Sequence, residues 1–171
     1  MLISTQMNAA LNEQIGFEFG ASLQYVAIAA YFDSESLPEL ARHFYRQAEE
    51  ERGHALRIVK YVADAGGRAQ IPPIPQPQNQ FASAEEAVQK ALEGELTVTK
   101  EINALADLAH RESDHLTGNF LQWFVTEQLE EVSSAQTLLR IVGRAKEDLL
   151  HVEEYLSRRR HESLAKAEPP E

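Results

Sequence analysis

The chain has 171 residues, a formal net charge of −11 and no cysteine. That length is ample for a buried core without cross-links. The missing thiols exclude disulfide scaffolds, Cys-ligated zinc and Cys-held iron–sulfur clusters, and the acidic balance disfavours nucleic acid or an anionic membrane as a partner.

Apolar residues recur in alternating steps of three and four among Ala, Leu, Glu and Gln, a pattern that predicts helices and no strand. The opening residues, MLISTQMNAALNEQ, lack a basic stretch followed by an apolar one, and no apolar run is long enough to span a membrane, so a cytoplasmic location is expected. A first helix is expected over residues 5–33. Pro38 in SLPE, with Ser36 and Glu39 as a capping box, opens a second over 37–65, and Gly66-Gly67 stops it. Residues 66–82 then hold Pro72, Pro73, Pro75 and Pro77. Stiffened toward an extended form, this segment reaches up to about 55 Å, enough to run the roughly 42 Å length of either flanking helix. Ser83 and Glu86 form a second box heading a helix over 83–111, and a short turn leads to another over 114–142.

Short turns make antiparallel hairpins of helices one and two and of three and four, while the long crossover makes two and three parallel. The expected fold is therefore all-α, a four-helix bundle with one long crossover. A shorter fifth helix over 145–160 completes a single domain of residues 1–160, and 161–171 are expected to form a flexible tail.

Each long helix carries a stripe that should face the bundle core. The first reads Leu11, Ile15, Glu18, Ser22, Tyr25, Ala29, Phe32; the second reads Leu40, Phe44, Gln47, Glu51, His54, Ile58, Tyr61. The third reads Val88, Leu92, Glu95, Thr99, Ile102, Leu105, and the fourth Leu121, Phe124, Gln128, Glu131, Ala135, Leu138, Val142. Every stripe has a carboxylate near its middle. Glu18, Glu51 and His54 recur 77 residues on as Glu95, Gln128 and Glu131, so the two hairpins look like copies about a pseudo-two-fold axis.

An ionised carboxylate inside a bundle costs several kcal/mol unless it is paired. Either these acids are protonated or a cation sits among them. No Lys or Arg lies on the four stripes, so a cation there should be a metal. Oxygen ligands with one imidazole suit iron or manganese better than copper, with zinc left open. Glutamates from two helices with Glu-x-x-His from another match a di-metal carboxylate bundle. Taken singly, His54 reads as a hydrogen-bonded core histidine, Tyr25 and Trp123 as core aromatics, and Glu49, Glu50, Glu127 and Glu130 as surface acids. The constellation carries the metal reading, and no single member does.

From LNEQIGFEFGASLQYVAIAAYFDSESLP through HFYRQAEEERGHA to NFLQWFVTEQLEEV, nearly the whole chain resembles a bacterial non-haem ferritin, most of all the actinobacterial type. The resemblance implies a ferroxidase centre in which Glu18, Glu51 and His54 bind a first iron and Glu51 bridges to a second. Glu95 and Glu131 would hold that second iron, with Gln128 a weak ligand and Tyr25 a hydrogen-bonding neighbour. Glu50, Glu127 and Glu130 match a third, outlying iron site. The resemblance further implies a hollow cage of 24 subunits with the fifth helix lining four-fold axes. Iron is oxidised there by dioxygen or hydrogen peroxide, stored as a ferric mineral, and released with a ferredoxin-type reductant.

Departures from the family pattern are specific. Arg52 stands where haem-binding bacterioferritins place a methionine, so no haem is expected. Glu131 stands in the role of their second histidine, which makes the site asymmetric. Gly118 and Leu121 replace the acidic pair that lines the three-fold pore of animal ferritins, leaving Glu112 and Asp114 near the turn between helices three and four as entry-route candidates. Three other readings stay open. A rubrerythrin-like di-metal peroxidase usually adds a Cys-held iron, for which this chain has no thiol. A starvation-type mini-ferritin places metal between subunits and lacks the fifth helix. An inert helical scaffold would keep carboxylates that, without metal, only destabilise it.

Overall fold

The computed structural model describes residues 2–146 and 148–167, with side chains placed through Arg160. Its described residues form five helices and no strand: α1 (Thr5–Ser34), α2 (Pro38–Asp64), α3 (Ala84–Arg111), α4 (His115–Ala145) and α5 (Leu150–Ala167). Among the described residues no helix is long and apolar enough to cross a membrane. α1 packs along α2, α3 along α4, and α1 against α3, while α5 rests on α2 and α4.

Two apolar clusters fix the directions. In one, Ile28 and Phe32 of α1 and Leu40 and Phe44 of α2 meet Val88 of α3 and Leu138 of α4. In the other, Met7 and Leu11 of α1 and Ile58 of α2 meet Ile102 of α3 and Leu121 and Phe124 of α4. The first end thus joins the start of α2 to the start of α3, so those helices run parallel, and the architecture is a four-helix bundle with a short C-terminal fifth helix.

The crossover is laid along α1 by side-chain amides. Asn8 accepts from the Arg68 N–H at 2.9 Å and Asn12 from Gln70 at 3.0 Å. Gln24 both accepts from the Gln78 N–H and donates to its carbonyl, each at 2.9 Å. Gly16 gives the crossover room: a Cβ at this position would lie 2.4 Å from Pro72 Cγ.

Helix starts follow the expected chemistry except at α2. The Ser4 hydroxyl accepts from Met7 N–H, Ser83 from Glu86 N–H and Asp114 from Thr117 N–H. Glu86 reaches back to the Ala82 N–H, one residue before the partner a capping box requires. At α2 the expected Ser36–Glu39 box is not formed. Ser36 is at φ 60° in the reversal out of α1, which leaves Leu37 as an N-cap without a side-chain acceptor. Glu153 of α5 takes over, its two carboxylate oxygens accepting from the Glu39 and Leu40 amides at 2.8 Å each.

The fifth helix also departs from its expected limits. α4 continues to Ala145, Lys146 at φ 53° turns the chain, and α5 starts at Leu150. It then runs to Ala167, so much of the expected tail is helical; residues 168–171 lie outside the described residues. Val152 anchors α5 in the first apolar cluster, flanked by Leu149 and Leu156.

Candidate metal centre

The polar residues of the four stripes fill the level between the two apolar clusters. Glu18 and Ser22 from α1, Glu51 and His54 from α2, Glu95 from α3 and Gln128 from α4 are all buried there, and Glu131 is half-buried. The helices deliver them because each polar residue takes the place of one apolar member of a three-and-four pattern, which keeps its side chain pointed inward.

Glu18, Glu51 and His54 converge. One ligand atom from each lies within 4.8 Å of the others. His54 Nδ1 is 3.4 Å from Glu51 Oε2 and 3.8 Å from Glu18 Oε2. Glu18 Oε2, both oxygens of Glu51 and His54 Nδ1 are buried with no hydrogen-bond partner. Native interiors rarely leave such atoms unsatisfied, and here they point at one another. Two carboxylate oxygens and an imidazole nitrogen are a donor set for a divalent transition metal.

Electrostatics agree with the geometry. Burial, and then the neighbouring Glu51, raise the Glu18 carboxyl well above the carboxylate range. Burial and then Glu95 push Glu51 up to about 8. A cation among them would reverse both effects by stabilising the ionised forms. The His54 ring meets Trp123 edge-on at 5.3 Å and Phe124 at 5.9 Å, and the Arg57 guanidinium lies 4.0 Å from the centre of the Trp123 ring. This aromatic wall separates the centre from solvent on the α4 side.

The second set is organised differently. The Tyr25 hydroxyl donates to Glu95 Oε1, and Gln128 Nε2 donates to Glu95 Oε2 at 3.2 Å and to Thr99 Oγ1 at 3.0 Å. Glu131 accepts from Gln47 Nε2 at 2.8 Å, and burial followed by Glu95 pushes its carboxyl up to about 7. These oxygens are thus hydrogen-bonded where those of Glu51 are bare. Of the outlying acids, Glu50 is exposed, 3.9 Å from Arg46 Nε, yet its charge still contributes to raising Glu51, Glu95 and Glu131. Glu127 is half-buried and Glu130 exposed. Neither they nor Glu50 join a metal-binding cluster among the described residues.

Two glutamines that the sequence reading did not single out position the acids. Gln14, fully enclosed, donates to Glu18 Oε1 at 2.8 Å, and Gln47 donates to Glu131. For Gln14 the available signal was spacing, since it precedes Glu18 by four residues on the same helix face, whereas the partner of Gln47 lies on another helix.

With this geometry established, comparison with known proteins defines the class. A profile described as Ferritin-like domain matches residues 8–145. Ferritin BfrB of Mycolicibacterium smegmatis is 45% identical over 167 residues, spanning 98% of this chain and 91% of that protein. A bacterial non-heme ferritin of Staphylococcus haemolyticus is 35% identical over 147 residues, 86% of this chain and 89% of that one. The crystal structure of an open pore ferritin from the archaeon Archaeoglobus fulgidus superposes with a TM-score of 0.86 at 36% identity, covering 91% of this chain and 97% of that chain. The chain belongs to the ferritin family. Its function is iron storage, and it assembles with copies of itself.

Proposed function

We propose that the chain is a ferroxidase as well as a store, oxidising Fe(II) at the centre inside each subunit and holding the Fe(III) product as a mineral in a cytoplasmic cage of 24 subunits. The observation that carries the reading is the convergence of four orphaned atoms from Glu18, Glu51 and His54 in a buried level between apolar clusters. Iron is the substrate. Glu18, Glu51 and His54 take the first Fe(II), and the second oxygen of Glu51, which has no other partner, reaches toward a second held by Glu95, Glu131 and the Gln128 amide. Each iron gives up one electron, so the pair reduces dioxygen, or hydrogen peroxide, by two electrons.

The protons held by Glu18 and Glu51 in the metal-free centre leave as iron enters, which makes loading easier as pH rises. Gln14 keeps one Glu18 oxygen fixed. Tyr25 steadies Glu95, and its own hydroxyl, whose pKa burial raises well above the ordinary tyrosine value, keeps its proton. Glu50, Glu127 and Glu130, which do not cluster in the metal-free chain, would be drawn together by an outlying iron bound after the first oxidation. Arg52, exposed and 3.8 Å from Glu49, supplies no thioether for haem, so the cage is haem-free, and a ferredoxin-type reductant releases the iron.

Stopped-flow absorbance at about two Fe(II) per subunit, the capacity of a di-metal site, tests the assignment. Glu51→Ala is expected to lose the fast phase. Glu131→Ala should bind iron but oxidise it slowly, and Glu50→Ala should keep the first turnover and alter later ones. A fast phase retained in Glu51→Ala and lost in Glu50→Ala would reverse the assignment of which glutamate faces inward.

A further inference from the structure

Among the described residues, one side-chain atom outside the metal centre is buried without a hydrogen-bond partner: Arg160 Nε, on α5. An orphaned carboxylate oxygen calls for a cation, whereas an orphaned guanidinium N–H calls for an acceptor.

Arg160 lies on a groove of about 380 Å³ between α2, α4 and α5. Arg42 and Arg46 enter it from α2, Arg159 and Arg160 from α5, and Ser134 and Thr137 add hydroxyls from α4. In a chain of net charge −11, the described residues lining this groove set four arginines against one acid, Glu39. Glu39 is shared between Arg42 and Arg160. Arg46 has only the loose contact to Glu50 at 3.9 Å. Arg159 leans on Tyr155, with Nη1 3.4 Å from its hydroxyl and the guanidinium carbon 5.9 Å from the ring centre. Glu153, whose oxygens accept from α2 amides, adds its negative charge beside Arg42 but forms no ion pair with the group. The groove's histidine, His43, is half-buried, and desolvation together with Arg46 and Arg159 holds it down to about 4, so it is uncharged at neutral pH and leaves the arginines as the source of positive potential.

We propose that this groove binds a phosphate group. Guanidinium forks offer paired N–H donors to a tetrahedral oxyanion, the two hydroxyls supply further donors, and a phosphate at neutral pH carries about −1.5 to −2 charges against the unbalanced arginines. A volume in the range typical of small-molecule sites, roughly 300–1,000 Å³, admits inorganic phosphate with water or the phosphate end of a small organic ester. The site does not depend on the iron chemistry. It does adjoin it, since His43, Ser134 and Leu138 also line the narrow gap beside Tyr25 and Glu131.

Equilibrium dialysis of the assembled, metal-free protein against radiolabelled inorganic phosphate, at about 0.15 M salt to screen diffuse attraction, tests this. Saturable binding near one per chain is expected. The double variant Arg46→Gln, Arg159→Gln should weaken it at least about tenfold, or roughly 1.4 kcal/mol. Arg158→Gln, which removes a neighbouring arginine engaged with Glu154 outside the groove, should leave it unchanged. Both sets of side chains are exposed, and unchanged native mass and circular dichroism confirm the fold. Adenosine monophosphate competing more tightly than phosphate identifies an organic ester as the source; weaker or equal competition identifies the free ion. Both support a phosphate site. The proposal is overturned if no saturable binding is found, if Arg158→Gln weakens binding as much as the double variant, or if a glutamate-rich peptide displaces phosphate equally well.

Discussion

Burial holds the Glu51 carboxyl up at about 8 and Glu131 at about 7, where the ordinary value is 4.5. An acid whose folded pKa is raised keeps a proton that the unfolded chain has already lost. Its contribution to stability is complete below about pH 4.5 and disappears as pH rises through the folded values. Metal-free protein is therefore expected to lose several kcal/mol per chain between pH 5 and pH 8, read from denaturant midpoints. Glu51→Gln should flatten that dependence, and a bound divalent metal should remove it by taking the proton's place. Equal midpoints at both pH values in metal-free protein would falsify the account. The 77-residue repeat made the level of the acids legible in the sequence, because seam position depends only on helical period. It could not show why Glu18 keeps a bare oxygen while both oxygens of its counterpart Glu95 are engaged. The difference lies in residues the repeat does not duplicate: Tyr25, which occupies Glu95, has Ile102 as its counterpart, and Gln14, which holds Glu18, has Ala91.

Single contacts decide the placement of two elements. Gly16 lets the crossover lie against α1, and in Gly16→Ala the added methyl meets the stiff Pro72 ring. A cost of about 1–3 kcal/mol in urea unfolding is expected from such overpacking. Gly53→Ala on the open face of α2, where a Cβ meets nothing within 4 Å, should instead gain about 0.5–1 kcal/mol from helix propensity. Glu153→Ala removes two charge-assisted bonds to the start of α2 and should cost about 1.5–3 kcal/mol, with faster proteolysis at the turn between α4 and α5. Glu153→Gln, which keeps one acceptor, should fall between. The helices and their order were legible because periodicity and punctuation are local. The α2 cap was not, because its acceptor lies 114 residues from the amide it serves, and Ser36 offered a plausible local substitute.

The first hairpin carries exposed apolar side chains suited to a contact between subunits. Leu23 and Val26 of α1 and Tyr45 and Leu56 of α2 are exposed apolar residues. Leu56→Arg is expected to leave the helical content unchanged while shifting native mass from the assembled cage to smaller species. An unaltered mass would place the subunit contact elsewhere. The link between α5 and α2 also has a consequence in time. The first turn of α2 leaves the ribosome 114 residues ahead of Glu153, a wait of about 6–23 s at typical elongation rates of roughly 5–20 residues per second. Until then its leading amides have no acceptor from the chain. The nascent hairpin is therefore held short of its final form by its own missing C-terminal part, and subunits with a completed α2 are those whose synthesis has passed α5.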